Sequence, residues 1–355
     1  MVDEYQSIIK GVLAVISIVM ILLTFIPLVR NDYWTFRALE FPRSQKLIVN
    51  SAVLLLWATV LSHLHSPHWV LITLLAVSII YLAYKVMPYT SLYAHEMVQI
   101  KNGSADSSIS LFCANVYQDN RDYETMRRQI LECDPDVIFL VETDKSWAKE
   151  MKLFRNRYPH YLEQPQENTY GLLFYSKLPL EEGSVKFLVK NEIPSVEAAV
   201  TLPSGQKVKI FGLHPEPPAP QESLTTTAKD KELMKIAFKA AKSKHPVIVM
   251  GDLNDVAWSY TTELFRKTSR LLDPRRGRGF FATFSAKSRI MRFPLDYIFC
   301  SETFGLIEMK RMPYSGSDHF AMFVKLQYDK TLAKEQTPPQ ADADDIDDAR
   351  EKAAA

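Results

Sequence analysis

Cysteine is scarce in this sequence, and the three present, Cys113, Cys133 and Cys300, form neither a close pair nor a metal-type spacing. That excludes a disulfide framework or a cysteine-based zinc site as the organising feature. Excess charge is also missing. Lys and Arg number 42 against 41 Asp and Glu, leaving a formal +1. The basic surplus of proteins that coat nucleic acid is absent, as is a long basic stripe with interleaved aromatics, although a local basic site fits this balance. No small-residue cleavage site follows the first apolar run, which argues against a secretory signal peptide.

What the sequence has instead is apolar length near its start. Gly11 to Val29 is almost unbroken apolar sequence, about 19 residues, enough at ~1.5 Å per residue to cross most of a hydrocarbon core. A second run goes from Leu47 to about Leu64 and a third from Trp69 to about Tyr84, with Trp57, Trp69 and Tyr84 near the interfaces. Taken alone, the second and third also suit buried core helices. Together they predict an anchor of three transmembrane helices in residues 1–88. The first loop carries Arg30, Arg37, Arg43 and Lys46, and the second has no Lys or Arg. Charge counting therefore puts the first loop, and the domain after the third span, in the cytoplasm.

Residues 89–107 read as a polar linker. From 108 to 328 the texture alternates between strands and helices, predicting a layered α/β domain. Residues 329–355, with Pro338-Pro339 and the acidic stretch Asp342 to Asp348, read as a disordered acidic tail.

Within the α/β domain, apolar strands repeatedly end on a polar group. Ser108 to Cys113 delivers Asn115, Val137 to Val141 delivers Glu142, and Val208 to Leu213 delivers His214. Val247 to Met250 reaches Gly251, then Asp252 and Asn254, which share a side on extended backbone. Asp296, Asp318 and His319 complete the set. Each is individually an ordinary cap or turn residue. Converging at one sheet edge, they form a hard, oxygen-rich set suited to Mg²⁺ or Mn²⁺, with two imidazoles able to move protons near neutral pH. That combination points to phosphoester hydrolysis. Asp144, Asp255 and Glu197 read as surface residues, and Arg275, Arg276 and Arg278 as either donors to a substrate phosphate or a solvated basic loop.

The pieces Ala114-Asn115-Val116, Pro135-Asp136-Val137 through Glu142, Gly171-Leu172-Leu173-Phe174-Tyr175-Ser176, Gly212-Leu213-His214, Gly251-Asp252-Leu253-Asn254, Leu295-Asp296-Tyr297-Ile298-Phe299 and Ser317-Asp318-His319 occur in one order along the chain. In that order the sequence resembles the endonuclease/exonuclease/phosphatase superfamily. The resemblance implies a four-layered α/β sandwich, two central, mostly antiparallel sheets flanked by helices. It implies Glu142, Asp318 and Asn115 at a Mg²⁺ (or Mn²⁺) site, and His214, Asp252, Asp296 and His319 as catalytic groups. Asn115, Asn254 and Arg278 would meet substrate phosphate. Tyr117 departs from the pattern of some nucleases, which carry a carboxylate there, and this weakens the case for a second metal.

Asp32-Tyr33-Trp34, Phe41-Pro42-Arg43, His214-Pro215-Glu216-Pro217-Pro218, Trp258-Ser259 and Gly277-Arg278-Gly279 resemble a bacterial membrane-anchored group within that superfamily. That likeness implies a multi-pass protein of the cytoplasmic membrane with its catalytic domain facing outward, against the charge count. The expected activity is hydrolysis of a phosphate ester or pyrophosphate, of a lipid-linked or other phosphorylated substrate at the bilayer. A nuclease using the same site is the alternative, with nucleic acid a less favoured partner, and an inactive membrane scaffold is the third reading.

Overall fold

The N-terminal runs fold as helices because little in them interrupts a 3.6-residue period, and Pro27, Pro42 and Pro67 stand only at helix ends, where a missing N–H is tolerated. The computed structural model describes residues 2–59 and 65–355. Its first helices are Val2–Phe25 (α1), Trp34–Ala38 (α2), Arg43–Trp57 (α3) and Ser66–Val86 (α4). Leu13, Val53, Trp57 and Leu75 pack α1, α3 and α4 together, and Trp57 Nε1 donates to Ser17 Oγ at 3.0 Å. Outward, Val12, Val15, Leu55 and Ile80 are exposed.

Two segments among the described residues are long and apolar enough to cross a membrane, Glu4–Leu28 and Ser66–Tyr89, not the three expected. Helix α3 is only 15 residues long and begins with Arg43 and Lys46, both buried. At 1.5 Å per residue it falls short of the ~30 Å hydrocarbon thickness. Residues 60–64, the end of that expected span, lie outside the described residues.

The following domain is built on two sheets. Ser108–Asn115 (β1), Val137–Val141 (β2), His160–Gln164 (β3), Leu172–Ser176 (β4), Phe304–Arg311 (β10) and Met322–Tyr328 (β11) form a six-stranded sheet, ordered β10-β11-β1-β2-β4-β3. Leu180–Lys186 (β5), Ser195–Thr201 (β6), Lys207–Leu213 (β7), Val247–Asp252 (β8) and Asp296–Cys300 (β9) form a five-stranded sheet in that order. Each sheet has one parallel pair, β1 with β2 and β7 with β8, and its other pairs are antiparallel.

Alternation along each strand divides its side chains between two cores. Leu111, Phe139, Phe174, Ile210 and Met250 fill the space between the sheets. On the far side of the first sheet, Phe112, Ile138 and Leu140 meet Met126 and Ile130 of Tyr123–Cys133 (α5) and Trp147 of Lys145–Met151 (α6). On the far side of the second, Phe211, Val249 and Phe299 meet Leu233 and Ala237 of Thr227–Ala241 (α7) and Phe265 of Tyr260–Ser269 (α8). Two sheets flanked by helices agree with the expected α/β fold.

The ends of the domain depart from expectation. The 89–107 segment is docked rather than free: Ile100 N donates to Leu306 O at 2.8 Å, Leu306 N to Val98 O at 2.9 Å, and Glu96 receives both N–H bonds of Arg266 Nη1 at 2.7 and 2.9 Å. The acidic tail is ordered as a helix, Ala343–Ala354 (α9), packed by buried Ala349. Its charges have partners: Lys267 lies 2.7 Å from Asp345, Arg30 lies 2.7 Å from Asp348, and Lys352 lies 2.8 Å from Asp230.

The head of the helical bundle joins the same domain. Trp34 N donates to Leu224 O at 2.9 Å, Thr226 N to Asp32 O at 2.8 Å, and Tyr89 Oη to Ala257 O at 2.6 Å. The loop between α1 and α3 and the segment after α4 therefore share one end of the bundle with the domain.

Candidate active site

Strand register brings the polar groups to one edge. Asn115 is level with Val141 in the first parallel pair, so Glu142 emerges beside it. Leu213 is level with Gly251 in the second, so His214 and Asp252 emerge together, and Asp296 opens β9 directly opposite Asp252. The turn Ser317-Asp318-His319 precedes β11, the other neighbour of β1.

The backbone is specialised at these turns. Glu142 and Asn254 adopt left-handed φ values of 58° and 50°. Gly251 has φ +141°, and a Cβ there would stand 1.9 Å from Leu213 O, so only glycine fits. Absence of a side chain at 251 is what lets β8 run close beside β7 into Asp252.

Asn115 Nδ2 donates to Glu142 Oε1 at 2.7 Å and to Asp252 Oδ2 at 3.0 Å, while its Oδ1 accepts from Tyr117 N at 3.0 Å. His319 lies between two carboxylates, Nδ1 at 2.8 Å from Asp296 Oδ2 and Nε2 at 3.5 Å from Asp252 Oδ2. Asn254 N donates to Asp252 Oδ1 at 2.9 Å, and Asn254 Nδ2 to Pro215 O at 2.9 Å. His214 is buried, its ring centroid 5.6 Å from that of Tyr170, and its Nδ1 has no hydrogen-bond partner among the described residues. Asp318 is half-buried at the rim.

Burial and charge divide these groups into roles. Burial pushes Glu142 up to about 7, with Asp252 and Asp318 adding to the rise against the pull of Asn115 and His319. Burial also raises Asp252, with His319 opposing. For His319 burial alone would favour the neutral ring, but Asp296 and Asp252 overcome it and lift the imidazole to about 10. His214 goes the other way, down to about 4 through burial, and is neutral at physiological pH.

A divalent cation fits this arrangement. Four carboxylates, Glu142, Asp252, Asp296 and Asp318, stand around one imidazolium, and Glu142, raised chiefly by its burial and further by Asp252 and Asp318, has no cationic side chain bonded to it among the described residues. Oxygen donors of that kind suit a hard ion. Asp252, Asp296 and His319 also bring donor atoms within 4.8 Å of one another. In that trio, however, the imidazole is protonated and faces carboxylates through both nitrogens, so it acts as an ion-pair network, and Glu142 is the stronger ligand candidate. Asn115, expected as a ligand, turns its nitrogen rather than its oxygen toward the carboxylates and so orients them.

The structure does not bring Arg278 to the site. Its Nη1 donates to Pro274 O at 3.1 Å within its own loop and its Nη2 to Met97 O at 2.6 Å in the 89–107 segment, which engages both ends of the fork. Arg275 is buried against Asp273 at 2.8 Å, and Arg276 lies 3.3 Å from Glu96, so neither is a free phosphate donor. Asp255 and Asp144 are buried instead of surface groups: Asp255 pairs with Lys229 at 2.6 Å, and Asp144 caps α6 by accepting from Trp147 N at 2.8 Å.

Three residues support the site in ways their sequence positions did not indicate. Ser317 Oγ donates to Asn115 O at 2.8 Å and accepts from His319 N at 3.0 Å, joining two turns of the candidate site. Thr283 Oγ1 accepts from Leu295 N and Asp296 N, each at 3.2 Å. Arg275 Nη1 donates to Asp296 O at 3.2 Å. Ser317 is signalled by its place beside Asp318-His319, and Arg275 by its place in the basic cluster, where the sequence suggests a phosphate donor rather than a partner of the Asp296 carbonyl.

A family model described as the endonuclease/exonuclease/phosphatase family matches residues 113–319. Solved structures share the fold at low identity. An endonuclease/exonuclease/phosphatase family protein from Bacteroides thetaiotaomicron is 15% identical with a TM-score of 0.51, covering 65% of this chain and 98% of its own. A mannosyl-6-phosphatase from Bacteroides thetaiotaomicron VPI-5482 is 16% identical, with a TM-score of 0.50 and coverage of 62% and 100%. An endonuclease/exonuclease/phosphatase from Beutenbergia cavernae DSM 12333 is 17% identical, with a TM-score of 0.50 and coverage of 63% and 72%. No curated protein matches the chain.

Proposed function

The chain belongs to the endonuclease/exonuclease/phosphatase family, and on that premise we propose a membrane-anchored, divalent-metal-dependent phosphoesterase whose substrate presents its phosphate at a lipid surface. The observation that carries the chemistry is His319 held between Asp296 and Asp252 while Asn115 ties Asp252 to Glu142.

Each group has a task in that reaction. Glu142, with Asp318 nearby, would hold Mg²⁺ or Mn²⁺, which when bound polarises the phosphoryl oxygens. Asp252, raised by burial, accepts the proton of the attacking water, and as the new phosphorus–oxygen bond forms the bond to the ester oxygen breaks, the departing alkoxide taking a proton from solvent. His319, kept protonated by its two carboxylates, donates from Nε2 to a phosphoryl oxygen as negative charge gathers there. Asp296 fixes the ring through Nδ1. Asn254 remains beside Asp252 as a further donor, and neutral His214 lines the same edge without adding charge.

The anchor supports the location. Two apolar helices with exposed apolar faces join the domain through a docked segment. The proposal sets the domain on the outer side of the cytoplasmic membrane, following its likeness to the membrane-anchored group. Against the opposing charge count, Arg37 lies 2.9 Å from Asp32, Arg43 donates to Trp258 O at 2.6 Å, and Lys46 donates to Leu23 O and Leu39 O, each at 2.7 Å. These basic groups are engaged within the protein, which weakens them as topology signals.

The deciding experiment gives the purified full chain an alkyl phosphate, a pyrophosphate lipid and plasmid DNA, each with Mg²⁺ and with EDTA. Phosphate release from the first two, abolished by EDTA, is expected. Cleavage of DNA alone would replace this reading with a nuclease, and no turnover of any substrate would favour a scaffold.

A further inference from the structure

Beside the catalytic imidazole lies a cavity of about 400 Å³ that the reaction described above does not use. Its catalytic end is His319 and Asn254, and its remaining walls are carbon: Phe41 from the anchor segment, Pro217 from the loop after β7, and Met291 with Phe293 from the loop before β9. Phe41 meets Phe293 edge-on at 5.5 Å between ring centroids, so the anchor forms part of the cavity wall rather than merely lying near it. Phe284 lies against the His319 ring at 4.9 Å and continues the apolar wall to the reacting end.

We propose that Ala38–Pro42 of the anchor completes an apolar subsite of the active centre, and that this subsite takes the alkyl part of an amphipathic phosphate ester. The proposal rests on the phosphoesterase reading.

Three observations select that occupant. Water needs polar partners that these walls do not offer, so an apolar group is the favoured filling. A phosphate held by His319 and Asn254 would have its ester substituent adjoining the cavity. The loop carrying Met291 also presents exposed Lys287 and Arg289, complementary to an anionic head group, and an Ile290 that is 76% exposed. Ile290 O accepts from Gln45 Nε2 at 2.9 Å, which ties this loop to the first turn of α3 at the head of the bundle. Apolar and basic groups thus meet where an amphiphile leaving a bilayer would approach.

The test uses the full chain in phosphatidylcholine nanodiscs with methyl, butyl, hexyl and octyl phosphate as substrates, and the matching alkyl phosphonates as uncleaved ligands followed by calorimetry. Both kcat/KM and phosphonate affinity are expected to rise roughly two- to fourfold per methylene until the cavity is full. Ala38→Trp, which fills the cavity, and Met291→Asp, which makes an exposed wall polar, should each flatten both series. A series equally steep in the variants would report partition into the bilayer and overturn the subsite. A flat wild-type series with phosphate still released would overturn the subsite and leave the hydrolase standing. No release from any ester, with chain-length-dependent phosphonate binding lost in the variants, would sustain the subsite and reject the hydrolase.

Discussion

Arg43, the first residue of α3, donates from Nη1 to the carbonyl oxygen of Trp258 at 2.6 Å and from Nη2 to Glu40 Oε1 at 2.6 Å. Trp258 Nε1 returns a bond to Glu40 O at 2.9 Å. All three residues are buried, so the N-terminal helical bundle and the α/β domain share one desolvated polar junction.

Removing one partner of such a junction leaves a buried charge with less compensation. Arg43→Met is expected to cost about 3–5 kcal/mol and lower the thermal midpoint of the solubilised chain. Glu40→Gln combined with Arg43→Met should recover part of that loss. An unchanged midpoint in Arg43→Met would show that the junction does not hold the two parts together.

His319 owes its charge to neighbours, so its titration should move when they change. Asp296→Asn removes the largest favourable influence on the ring, and the alkaline limb of the pH–rate profile should shift down from near 10. His319→Ala should reduce kcat by roughly 10²- to 10⁴-fold. An alkaline limb that stays in place in Asp296→Asn would remove His319 from the acid's role.

Glu142 titrates near 7 without a cation, so protons and metal compete for it. Between pH 7.5 and pH 5.5, Mg²⁺ affinity measured by calorimetry should fall roughly twentyfold. Glu142→Gln should abolish that pH dependence together with most of the affinity.

His214 makes stability pH-dependent in a defined direction. Its folded pKa is about 4 against an ordinary 6.5, so the unfolded chain binds the extra proton between those values. Its contribution is present above 6.5 and is lost as pH falls toward 4, by on the order of 3 kcal/mol. Measured by denaturant unfolding, the stability of wild type relative to His214→Gln should be constant above pH 6.5 and fall by about that amount as pH drops from 6.5 to 4; a difference that stays constant over that range would contradict the lowered pKa.

Much of the site was legible because its residues terminate apolar strands. Asn115, Glu142, Asp252 and Asp296 end or open apolar strands whose register does the rest. Charge pairing was the illegible part. Asp255 looked like a surface residue because its partner, Lys229, belongs to α7, and Arg278 looked free because the carbonyl that engages it, Met97 O, lies in the 89–107 segment. The acidic tail misled for the same reason. Its partners Arg30, Lys267 and Asp230 come from three separate places, and only the fold turns an acidic run into a docked helix. Helix α3 looked like a span because its run from Leu47 is apolar, whereas the helix begins at Arg43, and Arg43 and Lys46, which looked like loop residues, are buried in its first turn.

The most direct measurement is phosphate release from octyl phosphate by the full chain, wild type and Glu142→Gln, with Mg²⁺ and with EDTA. Release by wild type that needs Mg²⁺, and its loss in a Glu142→Gln protein with an unaltered unfolding midpoint, is the predicted result. Release that persists in EDTA, or that Glu142→Gln leaves undiminished, would contradict a metal-assisted centre built on Glu142.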